Sequence, residues 1–315
     1  MIRYAAKRVL LGIVILLFTM LVMYSAVYVI PGDPATVALG PRATPAMRAA
    51  LWERMGLDQP LYIQIGSFFA RVLQGDLGLD VVGRREVSTI IAETLPNTLI
   101  LAIASLGWAL ILGIPLGCLA VVYRGSFIDR LTGILSVSVI ALPSFVVALC
   151  SLLIFAVQLR WLPAMGAGRA GDIGSQLRAL ILPAFAVGLG WVGYLARLVR
   201  ASMLEVMSET HIRTARAFGL SESRIIFSYA LPIAIVPTIA LVAVGLGGIL
   251  SSSVFAEIVF SRPGIGSLTY SAVLTRNYPV VMGAVLVMTA IYVAITIAAD
   301  LLIAGIDPRV RDALR

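Results

Sequence analysis

The sequence predicts an all-α polytopic membrane protein with six transmembrane helices and a small helical insertion between the first and the second. Three observations predict this. Charged residues are only 13% of the chain while hydrophobic ones are 60%, against about 25% charged in a soluble domain. Six apolar runs stand between polar segments, long enough to approach or cross a hydrocarbon core of about 30 Å. Residues 31–96 alone make a long, polar, turn-rich stretch.

The first run, Val9 to Ile30, follows the basic start Arg3, Lys7, Arg8. A secretory signal shares that polarity, but this core is too long and no clear small-x-small cleavage site follows, so an uncleaved first helix is expected. Residues 31–96 open on Pro31-Gly32-Asp33-Pro34 and carry seven acids and six bases. Thr44 can cap and Pro45 open a short helix to Met55, ended by Gly56, and Ile63 to Leu73 reads as a second. This segment is too small for a separate enzyme core.

The second run is Asn97 to Val122, with Gly113-x-x-x-Gly117 at a close-packing spacing. The charged turn Arg124 to Arg130 leads to the third, Leu131 to Val157, where Pro143 predicts a kink. A glycine-rich loop, Arg160 to Arg178, holds Trp161, an interfacial residue type. The fourth span, from Ala179 to Leu195 or beyond, is expected to run past Arg197 and Arg200 into water. Ile233 to Ala256 is the fifth and Pro279 to Ile303 the sixth. Counted over the shorter connections, thirteen bases fall on one side against five on the other. The positive-inside bias then puts both termini and the fourth-to-fifth connection in the cytoplasm, and residues 31–96 outside.

That connection is the longest polar run in the second half of the chain. Glu209 and Arg213 stand at i and i+4 with the acid first, the favourable order on a helix. Gly219 suits a left-handed C-terminal stop. Ser221 can cap a second short helix with Glu222 in its first turn, and Leu231-Pro232 closes the stretch. Helix, glycine break, helix is more shape than an idle connector needs, although a solvated amphipathic loop has the same pattern.

Several chemistries are excluded. A P-loop needs a lysine to reach phosphates, and the only lysine, Lys7, has no such motif around it. Near membrane depth the clear carboxylates are Glu257 and Asp300, too few for the relays of ion-coupled transporters. Cys118 and Cys150 lie in separate apolar runs, and His211, the single histidine, has no ligand-type neighbours, so neither metal nor cofactor is expected. The net charge of +8 is scattered arginine with no basic stripe, which points away from nucleic acid. Ser136, Ser138, Ser251, Ser252 and Ser253 lie inside apolar runs. They either line a polar translocation path or bond to backbone carbonyls and neighbouring helices.

The stretch Glu209 to Pro232 resembles the coupling loop of ABC-importer permeases. That loop carries Glu-Ala-Ala, a glycine four residues after the second alanine, and Leu-Pro twelve residues further on. Thr214 and Ala215 hold the alanine places, Gly219 the glycine place and Leu231-Pro232 the closing pair. Arg213 replaces the glutamate, as is usual in the dipeptide, oligopeptide and nickel branch, where Arg-Thr-Ala-Arg-Ala-x-Gly is typical; Phe218 stands where that branch often has lysine. Pro31-Gly32-Asp33-Pro34, Gly56 to Tyr62, Gly75-Asp76-Leu77-Gly78, Glu93 to Thr98, Arg160-Trp161-Leu162-Pro163, Pro263-Gly264-Ile265-Gly266, Tyr278-Pro279-Val280 and Asp307-Pro308-Arg309 are similar to the first permease subunit of that branch, in the same order.

The resemblance implies a type I importer fold and a permease for di- or oligopeptides in a bacterial inner membrane. Nickel or a glutathione-like solute is the alternative cargo, and an autonomous secondary transporter the alternative class. It implies four kinds of contact: a homologous second permease, two cytoplasmic ATPase subunits, an extracytoplasmic binding protein, and the bilayer. Its coupling residues would be Glu209, Arg213, Thr214, Ala215, Arg216, Ala217 and Gly219. The chain then divides into 1–30, cytoplasmic N-terminus and first helix; 31–96, extracytoplasmic helical segment; 97–304, permease core including the coupling loop 209–232; and 305–315, cytoplasmic tail.

Overall fold

Apolar sequence in lipid must satisfy its backbone internally, and helices do so within one segment. The computed structural model, which describes residues 2–29, 44–55, 59–81 and 83–306, is helical accordingly. Among the described residues the only β pairing is one antiparallel bridge, Leu79 to Glu86. Pro31-Gly32-Asp33-Pro34, Gly56-Leu57-Asp58 and Asp307-Pro308-Arg309 lie outside the described residues.

The elements run α1 Ile2–Val29, α2 Pro45–Met55, α3 Leu61–Val72, α4 Val87–Val122, α5 Phe127–Ala141, α6 Ser144–Ser151, α7 Ile173–Val206, α8 Thr210–Ala217, α9 Glu222–Arg224, α10 Leu231–Ala234, α11 Val236–Val259, α12 Ile265–Leu274 and α13 Tyr278–Ile306. α1, α4, α7 and α13 are long and apolar enough to span a bilayer unbroken. The third and fifth runs are bent, by 97° between α5 and the helix that follows it and by 46° between α10 and α11, so the count reaches six with each bent pair taken as one span. Thr44 caps α2 as expected, accepting from the Met47 N–H at 3.3 Å.

Two boundaries move and one span breaks. The second span starts ten residues early, at Val87, and carries Pro96 inside the helix. The buried side chains of Val87 and Ile91, packed with Ile265, Ala272 and Val280, outweigh the hydrogen bond that proline removes. The fourth span starts at Ile173, because Asp172 accepts from the Ser175 N–H at 3.1 Å and caps it there. Pro143 breaks the third span by nearly a right angle, far more than a kink. Leu142 beside it is extended (ψ 121°), as a residue preceding proline tends to be. After α6 the chain widens into a π turn, Leu152–Gln158.

The chain divides into two units. One comprises residues 1–96, 263–301 and 308–315. In it Met20, Tyr24, Phe68, Met282 and Leu286 form a buried cluster that ties α1, α3 and α13 together. Asp300, expected as an isolated carboxylate near membrane depth, lies 3.0 Å from Arg8 of α1. The other unit comprises residues 97–262 and 302–307. Here α5, α6 and α11 pack against α7. Gly113 and Gly117 meet α7: a Cβ on Gly117 would lie 2.7 Å from the Ala196 carbonyl oxygen. The expected small-residue spacing is therefore a helix–helix contact. Glu257, fully buried, accepts from the Thr98 hydroxyl at 2.6 Å.

Candidate coupling site

α8 is short and polar, and isolated helices of that length are marginal. Burial of one face holds it. Ile212 and Ala215, at i and i+3, are buried in a cluster with Val199, Met203 and Val206 from α7, Cys118 and Val121 from α4, and Ile225, Ile226, Ala230 and Ala234. The opposite face carries Arg213, Thr214, Arg216, Ala217 and Phe218, all exposed, and Phe218 is 83% exposed. The helix is thus clamped against the long helices on one side and exposed on the other.

Gly219 ends it as the sequence requires. Its φ is +76°, a conformation that costs an L-residue roughly 1–2 kcal/mol. The Gly219 N–H donates to Arg216 O at 2.9 Å and the Leu220 N–H to Ala215 O at 3.3 Å, a left-handed C-cap that satisfies the last carbonyls. Ser221 then occupies the N-cap position of α9, but its side chain makes no capping bond. After α9 the chain widens into a second π turn, Ile225–Ala230, in which the Leu231 N–H reaches back to Ile226 O. π turns are rare and often mark functional positions.

The expected Glu209–Arg213 pair is replaced. The Glu209 carboxylate lies 3.1 Å from His211 Nδ1, and Arg213 is linked to Glu209 only through its backbone N–H. The sequence reading missed the contact that stiffens the turn. Arg216 donates through Nε to Glu222 Oε1 at 2.6 Å and through Nη2 to Oε2 at 3.2 Å, a bidentate fork across the Gly219 break. Glu222 raises the Arg216 pKa above its ordinary value through these bonds. A base in the last turn of one helix and an acid in the first turn of the next was the available signal. A second fork was not signalled locally: Arg200 of α7 donates to Asp129 of α5 at 2.6 and 3.0 Å, and the Gly125 N–H donates to the same carboxylate at 3.0 Å.

The serines do not share a face. Ser136 is buried and Ser138 exposed on α5, since residues two apart on a helix point in different directions. Ser251 is exposed, Ser252 half-buried and Ser253 buried. The Ser253 hydroxyl donates to Leu250 O at 2.6 Å, within its own helix.

Comparison with known proteins places the chain in a family. Residues 113–312 match the family described as binding-protein-dependent transport system inner membrane component, and residues 1–102 match its N-terminal companion family. The glutathione transport system permease protein GsiC of Escherichia coli K12 is 36% identical over 312 residues, covering 99% of both chains. GsiC of Salmonella typhimurium LT2 is 36% identical over 311 residues at the same coverage. Among solved structures, an inward-facing form of the MetNI methionine ABC transporter aligns with a TM-score of 0.56 at 17% identity, over 69% of this chain and 96% of that one; this shows the fold alone. The chain belongs to the binding-protein-dependent transport system inner membrane component family: it is the inner-membrane permease subunit of an ABC importer, built on the type I fold and working with ATPase, binding-protein and second permease subunits.

Proposed function

We propose that this permease imports small peptides, glutathione among them, and that α8 with the Gly219 turn is the handle through which ATP hydrolysis elsewhere moves its helices. The observation that carries the mechanism is the two-sided burial of α8, with Ile212 and Ala215 sunk into the bundle and Arg213, Thr214, Ala217 and Phe218 turned outward. The cargo class is supported by full-length identity to permeases named for glutathione transport.

Two ATPase subunits would sit on the cytoplasmic side, one receiving α8 in a groove. Closure of the ATPases on ATP would push the handle, and the cluster shared with α7 and the segment leading into α11 would carry the push into the spans. Gly219 and the Arg216–Glu222 fork keep the handle from bending. Glu209 sets its first turn, Ala215 anchors it, and Phe218 adds an exposed aromatic of the kind that dominates docking energetics. Both termini are then cytoplasmic, and residues 31–96 help dock the binding protein outside. Ser136 and the Ser251–Ser253 group are weaker candidates for the cargo path.

The test is ATP-dependent uptake of a labelled dipeptide and of glutathione by the assembled importer in liposomes. Replacing both Arg213 and Arg216 by Glu should abolish uptake while membrane insertion continues. Normal uptake by that variant, or uptake by this chain without its partners, overturns the proposal.

A further inference from the structure

We infer that the cavity between α5 and α7 is a binding site for the phosphate headgroup of an anionic phospholipid. The cavity holds about 290 Å³, and its polar lining is Asp129, Arg130, Thr132, Ser136, Arg197 and Arg200. Arg200 and Asp129 neutralise one another through their fork. Arg130 and Arg197 are exposed, and among the described residues neither side chain makes a hydrogen bond or ion pair. Two arginines from two helices therefore face one cavity with their charge unspent, beside the half-buried Thr132. Guanidinium forks match phosphate oxygens in geometry and charge.

Position selects lipid over a free anion. Arg200 stands one turn before Met203, which shares a buried cluster with Ile212 of the handle, so the cavity lies at the polar end of α7. Along α5 beyond Arg130 the exposed side chains turn apolar, with Leu131 41%, Ile134 65% and Leu135 53% exposed. A soluble phosphate would satisfy the arginines and leave that ridge bare. A phospholipid satisfies both, its headgroup on the arginines and its acyl chains along the ridge. Basic pockets between spans on the cytoplasmic side recognise anionic headgroups in this way. A lipid seated here bridges α5 and α7 next to the handle. The choice of leaflet rests on the orientation proposed above; the binding does not.

The experiment is native mass spectrometry of the assembled importer, and of this chain alone, with phosphatidylglycerol against phosphatidylcholine of identical acyl chains. The wild-type headgroup comparison is independent of any variant's folding. Preferential retention of phosphatidylglycerol is expected. Arg130→Gln with Arg197→Gln should weaken it about thirtyfold, the factor for two residues at about 1 kcal/mol each near an anionic surface. Equal retention of the two lipids, or unchanged retention by the variant, overturns the inference. So does displacement of the lipid by equimolar inorganic phosphate, which would make it a site for a free anion. Retention by the isolated chain and not by the importer overturns it too, because a partner subunit then covers the cavity.

Discussion

Two arginine–carboxylate forks lie at α7 and in the turn that follows α8, and they differ in setting more than in chemistry. Arg200 and Asp129 join residues 71 apart in sequence, and the Asp129 side chain is only 9% exposed. Arg216 and Glu222 are six apart, with side chains 42% and 59% exposed. A desolvated pair punishes the loss of one partner, because the other charge stays behind uncompensated. An exposed pair is worth only about 0.2–1 kcal/mol. The first fork therefore belongs to the fold, fixing α5 on α7. The second adds little to stability and acts on shape, holding two short helices at a fixed angle across a glycine.

The sharpest break of this comparison is Asp129→Ala. It strands the Arg200 guanidinium and the Gly125 N–H together, so it should lower the thermal unfolding temperature of the purified importer clearly, with uptake falling in step with folded protein. Glu222→Ala, measured by the same fluorimetry, should leave that temperature almost unchanged. Equal shifts would show that burial does not separate the two forks.

Next in size is Gly219→Val, which acts on the turn that the exposed fork spans. At φ +76° a side chain costs roughly 1–2 kcal/mol, and relief of that strain would bend the handle. A coupling loss of about tenfold corresponds to ~1.4 kcal/mol. Uptake should fall by at least that factor while the unfolding temperature moves less than in Asp129→Ala. If hydrolysis and uptake both stay normal, the turn has no part in transmission.

Arg216→Glu is a finer probe. It sets two carboxylates face to face across the break and should reduce uptake by at most about fivefold, the upper end for an exposed pair. Adding Glu222→Arg restores the fork with its charges exchanged, and uptake should recover. Failure to recover would mean that the Arg216 guanidinium is read directly by a partner rather than used to stiffen the turn. Arg213→Glu gives the contrast, since among the described residues no acid pairs with the Arg213 side chain and no exchange with one of them should rescue it.

The end of α8 was legible in sequence because its determinant is local. A glycine at the right offset sufficed for the left-handed stop at Gly219, although the charge pair expected at the start of α8 did not form. Gly113 and Gly117 were legible for a related reason, since their spacing alone puts both on one helix face. The Asp129–Arg200 fork was not, because nothing near either residue names its partner. The start of α4 at Val87 was hidden by Pro96, whose local cost is overridden by packing of Val87 and Ile91 against residues from the far end of the chain. The Glu209–Arg213 pair failed because His211 competes for the same carboxylate at shorter sequence range.

The smallest effect expected is also the test of what the buried polar residues are for. Ser253 spends its hydroxyl on Leu250 O at 2.6 Å, so Ser253→Ala removes a bond within one helix and leaves the carbonyl its ordinary backbone donor. Uptake and unfolding temperature should both stay at wild-type values. Ser252, half-buried one residue earlier, points about 100° away around the helix, and among the described residues its hydroxyl makes no such bond. A fall in uptake from Ser253→Ala without loss of folded protein would show that cargo or its water reaches this face of α11. The serines would then form part of the path, and the contrast between groups that transmit motion and groups that merely satisfy the backbone would have to be redrawn around them.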